Sequence, residues 1–126
     1  MLDPRVDMAP VCNENGVYEP HERLFLPRSV KGWQGMDMLE IEIANLGGHW
    51  IWSTGLCFFT GDCAGSFSPL ADVEGRRAPT RDDAILSAAG HLWNKIGGRD
   101  GPEATAMRNW LARFGVPAIS AREEAA

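Results

Sequence analysis

The stretch Leu39–Leu56, "LEIEIANLGGHWIWSTGL", decides the fold. Leu39, Ile41 and Ile43 alternate with Glu40, Glu42 and Ala44, the period-two pattern of a strand with one face in a core and the other in water. Leu46, Gly47 and Gly48 then supply a turn, because glycine adopts positive φ without steric penalty. The following run, "HWIWSTGLCFFT", is rich in aromatic and β-favouring residues and is expected to return as the second strand of an antiparallel hairpin. Trp50 and Trp52 are two apart on it, so both indoles project from one face while Ile51 and Ser53 project from the other. Gly55 is expected to mark a bulge that resets the alternation before Leu56–Phe59.

Working outward, Gly61-Asp62 reads as a turn and Ala64–Phe67 as a short returning strand, which makes the centre of the chain a meander. Upstream, residues 1–35 contain Pro4, Pro10, Pro20 and Pro27 among scattered polar residues. That composition favours an extended N-terminal arm, with an apolar kernel at Leu24–Leu26 suited to a sheet edge where proline is tolerated. Downstream, Pro79-Thr80-Arg81-Asp82-Asp83 is a helix start: Thr80 can cap free amides and the aspartates suit the positive end of the dipole. Ala84, Ile85, Ala88, Ala89, Leu92, Trp93 and Ile96 recur at helical spacing, and Gly97-Gly98 stops the element. A second helix is signalled by Pro102 and Glu103 at its start and Gly115 with Pro117 at its end, with Ala104, Met107, Leu111 and Phe114 on its apolar face beside Trp110.

The expected architecture is therefore α+β: an antiparallel meander of three or four strands with two C-terminal helices packed on one face. Residues 36–117 form the single domain, and residues 118–126 are expected to fray. A chain of 126 residues with 44% hydrophobic content closes one core. No apolar run approaches the roughly 18 residues needed to cross a bilayer, because Glu40, Glu42, His49 and Asp62 interrupt each candidate. The opening "MLDPRVDMAPVCNENG" has acidic residues and prolines where a secretory signal needs a basic start and an apolar stretch, so a cytoplasmic protein is expected.

Net charge is −5 and the pI about 5.1. The summed field repels phosphate backbones and anionic membranes, which disfavours nucleic acid as a partner and suits docking on a basic protein surface. Arg76, Arg77 and Arg81 lie close together but alternate with Asp72, Glu74, Asp82 and Asp83, the mark of a solvated charged face. For three cysteines in a cytosolic setting the default is reduced, partly buried thiols, and the sequence leaves open whether Cys57 and Cys63 approach each other. Cys57 and Cys63 form C-x5-C, not the close pair of a zinc site, so no metal is expected. The glycine-rich "TGDCAG" lacks both phosphate-loop patterns, and Glu40 and Glu42 fall on a solvent face, so neither cofactor nor catalytic set is expected.

From Lys31 to Ile96 the chain carries "GWQGMDMLEIEIANLGGHWIW" and "APTRDDAILSAAGHLW". A strand ending in "EIA", a W-x-W strand, a Gly/Ser-rich turn and a "TRDDAI" helix start together resemble a small accessory domain of phage and other mobile-element proteins, found with ParB-like or DNA-methylase modules. The resemblance covers about half of the chain and brings no catalytic residues. It implies a non-enzymatic, acidic protein-binding module, such as an inhibitor of a host defence complex (anti-restriction or anti-CRISPR) acting in the host cytoplasm. The alternative is a single-stranded nucleic-acid-binding accessory domain that stacks bases on the aromatic strand. The binding residues expected across these two readings are Trp33, Glu40, Glu42, Trp50, Trp52, Arg76 and Arg77. Trp50 and Trp52 are a platform if no helix covers them, and a core floor if one does; in the latter case Trp33, in "KGWQG", becomes the aromatic anchor.

Overall fold

The computed structural model describes residues 12–27, 37–58 and 69–116. Four strands form one antiparallel sheet in the order β1-β2-β3-β4: β1 (Glu22–Leu26), β2 (Leu39–Asn45), β3 (Trp50–Leu56) and β4 (Arg77–Ala78). Two helices follow, α1 (Arg81–Ile96) and α2 (Pro102–Ala112). The α+β meander with C-terminal helices is thus the observed fold.

Periodicity positions everything else. Leu39, Ile41 and Ile43 of β2 stand opposite Leu56, Thr54 and Trp52 of β3, and Leu26, Leu24 and Glu22 of β1 complete the same rows. This inner face is roofed by α1, which packs on β3, β2 and β4. Ala84, Ala88 and Ala89 are fully buried, and their small side chains let the helix lie close on the sheet. Thr80 Oγ1 accepts from the Asp83 amide at 3.1 Å, the expected cap. Gly97, at φ 57°, ends the helix by donating to the Trp93 carbonyl. Helix α2 starts at Pro102 and buries Ala104, Met107, Trp110 and Leu111, with Phe114 edge-on to Trp110 at 5.1 Å between ring centroids.

One expectation is corrected. Gly55 makes no bulge: it stands in unbroken register opposite Glu40, so the alternation of β3 continues through Leu56. The fourth strand of the sheet is Arg77–Ala78, which pairs with Ile51 and Trp50; the return expected at Ala64–Phe67 lies outside the described residues. The sheet edge expected at the Leu24–Leu26 kernel is present as β1, whose Leu24 and Leu26 continue the apolar rows of β2.

The hairpin end of the opposite, outer face has its own small cluster of Ala44, Ile51 and Leu70, packed by Tyr18 and Leu46. Residues 12–18 close on themselves through the Cys12↔Tyr18 bridge and are strapped there by the Val17↔Ala71 bridge and by the Tyr18 amide donating to the Leu70 carbonyl at 2.7 Å.

Candidate functional site

On the outer face, the register sets Arg23 opposite Glu42 and Phe25 opposite Glu40. Arg23 does not close on its register partner. Its Nε donates to Glu40 Oε1 at 2.7 Å and its Nη2 donates to Asp37 Oδ2, while its guanidinium carbon lies 4.5 Å from the Phe25 ring centroid. Phe25 remains 44% exposed, a large apolar side chain framed by charge. Glu42 is half-buried, and burial, followed by the neighbouring charge of Glu40, pushes its carboxyl above the usual carboxylate range. The two glutamates singled out in the sequence therefore share one surface with an arginine and an aromatic ring that the sequence reading left out. The signal for both was the β1 alternation Glu22–Leu26, which sends Arg23 and Phe25 outward together.

The indoles lie on the other side. Trp52 is 5% exposed beneath α1, in the main core with Ile43, Ala88 and Leu92, and Trp50 is partly buried at its margin. An exposed tandem platform is therefore not what β3 presents; the helix covers the face, and Trp52 serves as floor.

The three clustered arginines separate. Arg77 points to the outer face, where its Nε donates to Asp72 Oδ1 at 2.7 Å, and His49 Nε2 approaches the same oxygen at 2.8 Å. These two partners hold the Asp72 carboxyl below its ordinary range, Arg77 contributing most. Arg81 reaches across to Glu22 of β1, its Nε 2.7 Å from Oε2. Arg76 alone of the three turns inward, its guanidinium carbon 4.5 Å from the Trp52 ring centroid. Against the same indole stands His91 of α1, its ring centroid 5.6 Å away and tilted by 58°. Burial lowers the His91 pKa, and the charges of Arg76 and Lys95 lower it further. His91 and Lys95 were not singled out as a site, although their i, i+4 spacing puts both on one helix face.

Trp33 lies outside the described residues. Among the described residues no group of three or more His, Cys, Asp or Glu side chains is placed to hold a metal ion, and no helix is long and apolar enough to cross a membrane. Cys12 is a free, exposed thiol. Cys57 is buried and disulfide-bonded, which departs from the default of a reduced thiol.

No protein-family model matches the chain, and comparison with curated proteins and with solved structures finds no match either.

Proposed function

We propose that this chain is a non-enzymatic protein-binding module of phage or mobile-element type that docks on a basic surface of its partner through the outer face of β1 and β2. The observation that carries this reading is Phe25, 44% exposed and in register with Glu40 on a face that also bears Glu42. An exposed aromatic ring framed by charge has the composition of an interface anchor with a polar rim. Asp37, Glu40 and Glu42 outnumber Arg23 there, and the net charge of −5 adds long-range attraction for a basic patch. The mobile-element setting rests on the resemblance of residues 31–96. In that setting the partner is a host defence complex of the restriction or CRISPR class and the site of action is the host cytoplasm.

The single-strand reading draws its support from two adjacent exposed indoles beside a basic patch. Burial of Trp52 and the divergence of Arg76 from Arg77 remove that support.

The experiment is a binding titration of the protein against purified host restriction and CRISPR complexes, comparing wild type with Phe25→Ser and with Glu40→Lys/Glu42→Lys. The expected result is binding to one complex that weakens with added salt and falls at least about tenfold in both variants. Absence of binding to every complex, or undiminished binding by Phe25→Ser, overturns the reading.

A further inference from the structure

Strand alternation and helix period bring four nitrogen-bearing side chains to one place on the inner face. The Trp52 amide donates to the Arg76 carbonyl at 3.1 Å, which extends the β3–β4 ladder one row past Ile51↔Arg77 and sets Arg76 beside Trp52. His91 packs on the same indole from α1, and Lys95 follows one turn later on that helix. β4 is the outermost strand, and Arg76, His91 and Lys95 are each partly exposed, so the cluster opens at the sheet edge.

Three polar atoms of this cluster are buried without a hydrogen-bond partner among the described residues: Trp52 Nε1, Arg76 Nη1 and His91 Nε2. Trp52 Nε1 and Arg76 Nη1 are donors only and belong to groups in direct contact, so both call for an acceptor; His91 Nε2, against the same indole, takes either role according to its tautomer. The charges make the same demand. Burial lowers the Arg76 pKa, burial and then Arg76 lower that of Lys95, and burial followed by both cations lowers that of His91; among the described residues no carboxylate is among the causes. By contrast, Arg23, Arg77 and Arg81 each hold a carboxylate. In a chain of net charge −5, two neighbouring cations with no acid beside them among the described residues stand out.

We propose that Arg76, Lys95, His91 and the Trp52 indole form a binding site for a phosphate-sized dianion, taken as inorganic phosphate or as the phosphate of a small phosphomonoester. Two fixed positive charges match two negative ones, whereas a single carboxylate neutralises only one. The Arg76 fork presents paired N–H donors to a tetrahedral oxyanion, and Lys95 supplies a point charge. The indole N–H is a donor with no acceptor capacity, and it suits an anion and not a cation. His91 donates from Nε2 in the matching tautomer. The charged groups near it among the described residues are Arg76 from the sheet and Lys95 from its own helix, and a dianion between them opposes the repulsion that, after burial, lowers its pKa. This site lies on the face opposite the proposed docking surface and stands independently of it.

The test is a titration of isotope-labelled protein with inorganic phosphate, and separately with glycerol phosphate, at constant ionic strength, following the Trp52 indole N–H and the His91 ring by NMR. Saturable displacement of both signals is expected, weakened about tenfold or more in Arg76→Gln and in Lys95→Gln and unchanged in Arg77→Gln. Response to phosphate alone identifies the free anion as the ligand; response to the ester identifies the carried group. Lys95 is on the helix surface, so Lys95→Gln keeps the test decisive should Arg76→Gln fail to fold. No saturable shift at concentrations on the order of tens of millimolar, or an equal loss in Arg77→Gln, overturns the proposal.

Discussion

The guanidinium of Arg76 lies over the Trp52 ring, its central carbon 4.5 Å from the centroid, and that ring is 5% exposed. One side chain is thus both part of the core and one wall of a charged cluster. The dual position follows from β3 being the last long strand: the Trp52 ring is roofed by α1, and its row ends at Arg76 at the sheet edge.

Trp52→Ala is expected to destabilise the protein by about 3–5 kcal/mol, the usual cost of emptying a large aromatic site in a packed core, and Trp52→Phe by less. Urea denaturation reads both. In acrylamide quenching, the fluorescence lost on Trp52→Phe is expected to be the fraction that resists quencher, while that lost on Trp50→Phe is more accessible, because Trp50 sits at the core margin. Free quenching of the Trp52 component would contradict the burial.

His91 gives a pH dependence whose sign is fixed. Its folded pKa lies below the ordinary 6.5, so the unfolded chain binds the proton first as the pH falls. Stability from this residue is present above the unfolded value and is lost as the pH drops from there towards the folded value. In His91→Gln that slope should vanish. Denaturation midpoints of wild type and variant, taken at neutral pH and at about pH 5, measure the difference. Equal slopes in the two proteins would show that His91 is not the group responsible.

Glu42 acts in the opposite sense. Its folded pKa is raised by burial and by Glu40, so its ionised form is the unfavourable one in the fold. Its contribution is present below the unfolded value and is lost as the pH rises through the folded value. Glu42→Gln is therefore expected to be more stabilising at neutral pH than in acid. A thermal melt series across that range checks the crossover, and a variant that loses stability equally at all pH values would argue that Glu42 is held by a contact and not by charge.

The hairpin and α1 were legible because their signals are local: alternation at Leu39–Ile43, the glycine turn, the Thr80 cap and the alanine stripe all act within a few residues. β4 was not, since a two-residue strand has no periodicity and Arg77–Ala78 is defined only by its distant partners Ile51 and Trp50. The same reason hid the charged cluster. Arg76 and Arg77 look like one basic pair in sequence, yet once they are extended chain, neighbours must face opposite ways. Arg76 then meets His91 and Lys95, and Arg77 meets Asp72. Phe25 and Arg23 were overlooked because a proline-flanked kernel of three apolar residues says where a strand edge lies, not which side chains it sends outward.

The β2–β3 turn offers a paired test of backbone geometry at the element that decides the fold. Gly47 has φ 100°, and a Cβ built on it meets nothing within 4 Å. Any penalty for Gly47→Ala is therefore backbone strain alone, expected at about 1–2 kcal/mol. The adjacent Gly48 is equally uncrowded and does not occupy the left-handed region. Gly48→Ala should be neutral or stabilising by up to about 1 kcal/mol, because alanine narrows the unfolded ensemble without straining the fold. Denaturant midpoints of the two variants read the contrast directly. A loss in Gly48→Ala matching that in Gly47→Ala would mean that the turn tolerates neither residue for a reason other than φ.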